Sequence, residues 1–311
     1  MRSLDDTIAA IATPAGEGGI AVVRVSGPRA AAVAAALLRR KDGSPPPLDP
    51  WSVRLAQVWL PGPPDGRGPL DEALVLWMPG PGSYTRDDVL EIQCHGGPAA
   101  ARGVLDAVLA CGVRLADPGE FTLRAYLNGR LDLLQAEAVL DVVRARTEAA
   151  LRIHEGLLGG RLSREVQGWQ ESLTGALALV EAYLDFPDED VGELDRERVR
   201  IAVADLTGAL EEKLATFAWG RTSRDGFGVA LVGAPNTGKS SLLNRLLEEE
   251  RAIVSPVPGT TRDTIEAWLN ALGVSVRIFD TAGLRGPADS LEAEGVRGAR
   301  AAGEGAPRGG V

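Results

Sequence analysis

Apolar and polar positions change their rhythm twice along this chain. Up to about residue 117, short apolar runs end at glycine turns: "GGIAVVRVSG" (18–27) and "DVLEIQCHGG" (88–97) predict strands, and "DEALVLWMPGPGSYT" (71–85) predicts another strand running into a Pro/Gly-rich loop. Helices are expected at 28–39 and 98–111, where Pro28 and Pro98 take a favoured first-turn position, and "KDGSPPPLDP" and "PGPPDGRGP" form surface loops. This stretch reads as an α+β domain. From about 118 to 222 the period becomes helical. Asp132 and Gln135 have the spacing of a capping box, and Leu133, Leu134, Val139, Leu140, Val142 and Val143 then recur on one helical face. The pattern runs on through "GRLSREVQGWQESLTGALALVEAYLDF" to Pro187, and a further helix is expected over roughly 194–219. The acidic run "DFPDEDVGELD" between them reads as a solvated connection. After Arg221 the order is strand, glycine loop, helix, strand: "GFGVALVG", a loop, "SSLLNRLL" and "VSVRIFDTAG". The expected architecture is therefore multidomain, α+β and α/β, with an N-terminal domain at 1–117, a helical domain at 118–222 and a P-loop domain at 223–311.

Composition narrows the function classes. A chain of 311 residues, 45% hydrophobic, is long enough for two or three ordinary cores. Its formal charge of -10 argues against diffuse electrostatic binding to nucleic acid, which needs clustered Lys and Arg, so an RNA contact would be local or made by a partner. Two cysteines, Cys94 and Cys111, fit no zinc or redox spacing and read as reduced, buried thiols. His95 and His154 are too few for a histidine metal site and are taken as structural or solvent-facing. The start "MRSLDDTIAAIATPAG" lacks the pattern of a signal peptide, and no apolar run approaches the ~20 residues of a membrane span. A soluble, cytoplasmic protein is expected.

The sharpest chemistry lies near the C-terminal end. "GAPNTGKS" (233–240) fits G-x-x-x-x-G-K-[ST] in full, between a predicted strand and a predicted helix. Its glycines let backbone N–H groups turn in around a phosphate at a helix N-terminus, Lys239 would neutralise the β- and γ-phosphates, and Ser240 would ligate Mg2+. "PGTTRD" (258–263) supplies adjacent hydroxyls that a switch segment can close on Mg2+ and the γ-phosphate. In "DTAG" (280–283), Asp280 can hold Mg2+ through water and the Gly283 N–H can sense the γ-phosphate. In that order the three motifs predict a regulatory NTPase.

The combination "PNTGKSSLLN", "PGTTRD" and "DTAGLR" resembles the TrmE/Era branch of translation-factor-like GTPases. Upstream, "DTIAAIATPAGEGGIAVVRVSG", "MPGPGSYTRDDVLEIQCHGG", "PGEFTLRAYLNGRLDLLQAEAV" and "YLDFPDED" are similar to the tRNA-modification GTPase family MnmE, also called TrmE. The resemblance covers most of residues 5–292. It implies a homodimer formed through an N-terminal domain that binds 5-formyltetrahydrofolate or a related tetrahydrofolate. It also implies an FAD-dependent partner of the MnmG type, and aminomethyl or carboxymethylaminomethyl addition at C5 of the wobble uridine of certain tRNAs. Folate contacts fall at Arg24, Glu91 and Arg130. The GTP site takes in Asn236, Thr237, Gly238, Lys239, Ser240, Ser241, Ser255, Pro256, Val257, Pro258, Gly259, Thr260, Thr261, Asp280, Thr281, Ala282 and Gly283. Asn236, Ser255, Val257 and Thr260 are implied as K+ ligands, with Ser240 and Thr261 on Mg2+. Leu284 stands where many small GTPases carry the glutamine that orients water, and Glu292 sits at the position of the family's catalytic glutamate.

The sequence also departs from the family. None of Asn128, Asn236, Asn244 or Asn270 begins the N-K-x-D that selects guanine, and the C-terminal cysteine motif of the family is absent. The stretch "GVRGARAAGEGAPRGGV" (295–311) supplies no core strand, and a frame shift or early stop is the simplest expectation. Weak GTP binding and poor hydrolysis follow as expectations for this chain. The alternative function is a folate-binding dimerisation scaffold with a vestigial G domain. A GTPase of ribosome assembly is a third reading, with the N-terminal motifs against it.

Overall fold

The computed structural model describes residues 5–62, 68–185, 196–231, 238, 241–242, 245–246, 266–271 and 273–280. Its contacts divide the chain into two compact units, 1–136 and 137–311.

The first unit contains β1 (Ile8–Ile11), β2 (Ile20–Ser26), α1 (Ala30–Leu37), β3 (Leu38–Arg39), β4 (Val53–Val58), β5 (Asp71–Met78), β6 (Val89–His95), α2 (Pro98–Ala110), β7 (Arg114–Leu115) and α3 (Glu120–Leu127). Seven strands form one sheet in the order β3-β4-β5-β6-β2-β1-β7. All neighbours pair antiparallel except β1 and β7. Successive side chains of a strand point to opposite faces. One face carries Val23 and Val25 of β2, Leu90 and Ile92 of β6, and Val75 of β5. With Val33 and Leu37 of α1 and Val104 and Val108 of α2, these side chains form one buried core. Each fully buried aliphatic side chain contributes about 1.5–3 kcal/mol relative to exposure. The opposite face of the sheet stays open, with Val53, Leu55 and Leu74 each more than 40% exposed.

Local chemistry explains the element ends and corrects several expectations. α2 starts as predicted, with Pro98 in its first turn after an extended Gly97. Pro28, by contrast, lies outside α1, whose N-cap is Arg29. α1 also stops at Leu37, because Leu38 turns extended and pairs with Val58 as β3. Arg29 instead serves the far end of α2: its guanidinium donates to the Cys111 carbonyl at 2.7 Å and the Gly112 carbonyl at 2.9 Å, capping orphan acceptors. At Gly27, with φ of +129°, a Cβ would stand 2.7 Å from the Asp6 carbonyl oxygen, so the β2–α1 turn requires glycine. β4, between the two Pro-rich loops, went unpredicted. Of the two thiols, Cys94 is buried as expected, whereas Cys111 is only half-buried.

The second unit takes up most of α4 (Leu133–Arg144), then α5 (Glu148–Leu158), α6 (Arg161–Asp185), α7 (Arg196–Asp225), β8 (Phe227–Leu231), β9 (Glu266–Ala271) and β10 (Val274–Asp280). The predicted capping box opens α4: Gln135 N–H donates to Asp132 Oδ1, and Asp132 N–H donates to Gln135 Oε1, both at 2.9 Å. Thr147 caps α5 through a 3.1 Å bond from the Ala150 N–H. The apolar face expected on α4 is only partly covered: Leu134, Val139 and Val142 are half-buried, whereas Leu133, Leu140 and Val143 are 57%, 50% and 76% exposed. α7 runs to Asp225, six residues past the expected end at 219. β8, β10 and β9 form a three-stranded sheet in that order. No described helix is long and apolar enough to cross a membrane.

Candidate functional site

Arg24 and Glu91 pair on the face of the sheet opposite the core, and Arg130, far along the chain, approaches the same tyrosine as Arg24. Arg24 and Glu91 are cross-strand partners of β2 and β6. Arg24 Nε donates to Glu91 Oε1 at 2.8 Å, and the two side chains are 28% and 14% exposed. At that burial the pair is better shielded from water and salt than a surface ion pair. Two aromatic rings flank the guanidinium: its carbon lies 5.8 Å from the Tyr84 ring centroid and 5.5 Å from that of Phe121. Arg130 reaches the same tyrosine, with its guanidinium carbon 4.9 Å from the ring centroid. Both distances to Tyr84 fall in the range of cation–π attraction.

The walls around this cluster are tied down. Tyr84 shares a 3.0 Å hydroxyl bond with Thr122 of α3. Its neighbour Thr85 is buried, and Thr85 Oγ1 bonds Ser26 Oγ of β2 at 2.7 Å. Asn128 donates to the Thr85 carbonyl at 2.6 Å, and Arg86 donates to the Asn128 carbonyl at 3.1 Å. The loop after β5 is thereby pinned to β2 on one side and to the end of α3 on the other.

A charged network fixes α3 itself. Arg124 is only 2% exposed; it donates to the Asp6 backbone carbonyl at 2.6 Å, to the Asp6 carboxylate, and to Glu120 at 3.1 Å. Arg114 of β7 binds the same two carboxylates, each at 2.7 Å. Hydrogen bonding from Arg114, reinforced by the Asp117 N–H and by Arg124, holds the Glu120 carboxyl down to about 2 against the opposing effect of burial. Asp6 is lowered by the same arginines, Arg114 first. Asp87 goes the other way, raised by burial despite Arg124 and Asn128 nearby.

In the second unit, β8 runs parallel to β10, and its last residue, Leu231, pairs with Asp280 at the end of β10. The start of the glycine loop and the aspartate of "DTAG" thus emerge side by side at the carboxyl ends of two parallel strands, where open α/β sheets bind ligands. Gly238 has φ of +88°, and its carbonyl accepts from the Leu242 N–H at 2.9 Å. Ser241 is helical and exposed. Asn236, Thr237, Lys239, Ser240, Ser255, Pro256, Val257, Pro258, Gly259, Thr260, Thr261, Thr281, Ala282, Gly283 and Glu292 lie outside the described residues.

Sequence reasoning assigned roles to Arg24, Glu91 and Arg130 but none to Tyr84, Phe121 or Thr122. The aromatics stood in the same quoted segments, "GSYTRDD" and "PGEFTLR", and only the fold shows that they face one arginine.

An α+β sheet domain followed by a helical segment and a P-loop strand order defines a multidomain protein of the P-loop class. Residues 7–130 match the family described as "GTP-binding protein TrmE N-terminus", and residues 133–295 match the "MnmE helical domain". The chain is 51% identical over 294 residues to the tRNA modification GTPase MnmE of Geobacter metallireducens, covering 94% of this chain and 64% of that protein. It is 50% identical over 294 residues to the MnmE of Geobacter sulfurreducens, at 94% and 63% coverage. The MnmE of Moorella thermoacetica is 52% identical over 293 residues, again at 94% and 63%. The chain belongs to the MnmE (TrmE) family. It spans just under two thirds of the length of these curated relatives.

Proposed function

We propose that the protein acts as a GTP-binding and GTP-hydrolysing component of tRNA modification whose first unit binds a tetrahydrofolate. The observation that carries this reading is that Arg24, paired with Glu91, and Arg130 both lie against the Tyr84 ring. Resemblance implied one folate contact for each of these positions, and the first and last lie 106 positions apart in the chain. A paired arginine and carboxylate beside two rings suits a flat heteroaromatic with hydrogen-bonding edges, and an exposed arginine suits an anionic tail. The uncovered apolar face of the sheet, with Val53, Leu55 and Leu74, supports a second copy of the chain as its cover.

In the second unit, Lys239 and the backbone N–H groups of the glycine loop would cradle the phosphates of GTP. Ser240 and Thr261 would hold Mg2+, and Asn236, Ser255, Val257 and Thr260 would hold K+. A metal cation held there would supply charge stabilisation to the transferring phosphoryl group. Glu292 would orient the attacking water in place of the absent glutamine. An FAD-dependent partner of the MnmG type and the wobble uridine C5 of certain tRNAs complete the reading, in the cytoplasm.

The test is nucleoside analysis of tRNA from cells lacking this gene. The expected result is loss of the C5-modified wobble uridine, restored by the gene and not restored by its Arg24→Ala form. Unchanged modification in the deletion sinks the proposal.

A further inference from the structure

Among the described residues, Tyr84 is the aromatic side chain that both site arginines approach. Its ring centroid lies 5.8 Å from the guanidinium carbon of Arg24 and 4.9 Å from that of Arg130. The two cations differ in what else holds them. Arg24 is matched by Glu91 at 2.8 Å and stands beside a second ring, Phe121. Arg130 is exposed and, among the described residues, has no ion pair, so the Tyr84 ring is the main feature restricting its long side chain. The ring is itself immobilised by the Thr122 hydroxyl and by the buried Ser26–Thr85 bond at the next residue. A flexible arginine that must meet an anion loses rotamer freedom on binding, and a fixed aromatic surface takes part of that loss beforehand.

We infer that Tyr84 is a positioning residue for the folate-type ligand, holding the Arg130 guanidinium where the ligand's carboxylate tail arrives. This rests on the folate reading above. The aromatic ring does the holding, and the hydroxyl only fixes the ring. Loss of the ring therefore weakens ligand binding through Arg130 and leaves the Arg24–Glu91 pair in place.

The experiment is calorimetric titration of the whole chain with 5-formyltetrahydrofolate, as a double-mutant cycle between Tyr84→Leu and Arg130→Ala, with Tyr84→Phe as the conservative variant. Tyr84→Leu is expected to raise Kd about tenfold, the size of a partly desolvated cation–π contact, at an unchanged melting temperature. Arg130→Ala should do the same, and the double variant should lose little more than either single one. Tyr84→Phe should stay within about threefold of the unsubstituted chain, since it retains the ring quadrupole. Unaltered affinity in Tyr84→Leu overturns the inference, as do effects that multiply in the double variant or a Tyr84→Phe loss as large as that of Tyr84→Leu. Absence of binding by the unsubstituted chain overturns the folate reading itself, and the inference with it.

Discussion

The two units of this chain are built to different standards of closure. In residues 1–136, a seven-stranded sheet and two helices close over one apolar core, and the buried charges of Arg124 and Glu120 are paired with each other. In residues 137–311, the described helices bury little beyond Ala138, Ala150, His154 and Ala176. α6 and α7 leave Leu173, Leu177, Leu184, Val203 and Leu214 all more than 40% exposed. A helix of a globular protein normally buries its apolar stripe. The candidate folate site is thus mounted on a closed frame that can hold side chains within ångströms of one another. The helical segment is a surface that gains stability only when something covers it.

The largest expected effect breaks the frame at its charged anchor. Arg124→Ala empties a buried position and leaves Glu120 and Asp6 to Arg114 alone, which should cost about 3 kcal/mol. The loss should appear in urea unfolding followed through Trp51, Trp59 and Trp77, all in the first unit. The far-ultraviolet helix signal carried mostly by α6 and α7 should persist. Simultaneous loss of both signals would show that the two units do not differ in this way.

Acid should act on the same frame. The Glu120 carboxyl is held at about 2, below its ordinary 4.5, so its contribution is fully present above pH 4.5 and is lost as pH falls toward 2. The contribution is on the order of 3 kcal/mol. Asp6, also lowered, adds in the same direction. A Glu120→Gln variant should show a flatter stability profile over that window; an equally steep one would remove Glu120 from the account.

Smaller effects are expected at the start of α4 and along α6. Asp132→Ala removes the reciprocal cap of α4 and should cost about 1 kcal/mol in thermal unfolding. Leu177→Ala, at a side chain 55% exposed, should fall within about 0.5 kcal/mol. A cost of several kcal/mol there would mean that the α6 face is covered in solution.

What the sequence disclosed follows the same division. The β2 and β6 strands, the α2 start at Pro98 and the Asp132–Gln135 cap were legible because each is set by local chemistry within a few residues. β4 was not, since its "VRLAQV" places apolar residues on both faces and so lacks a clean alternation. Pro28 misled in the same way: a proline favours a first turn, but Gly27 and the packing against Thr7 set the start of α1 at Ala30. Arg24, Glu91 and Arg130 were found by resemblance, and Tyr84 by neither pattern nor resemblance, because its partners come from β2 and from beyond α3. A pairing of that kind is a property of the fold.

In the proposed function, the closed first unit holds a folate-type ligand at Arg24, Glu91 and Arg130. Equilibrium binding of 5-formyltetrahydrofolate to the whole chain and to its Arg24→Ala variant, with melting temperatures measured alongside, tests it most directly. Saturable binding by the unsubstituted chain, weakened at least about tenfold in the variant at a similar melting temperature, is the predicted result, in keeping with loss of a charged hydrogen-bonding group. Equal affinity in the two proteins, or none in either, would contradict it.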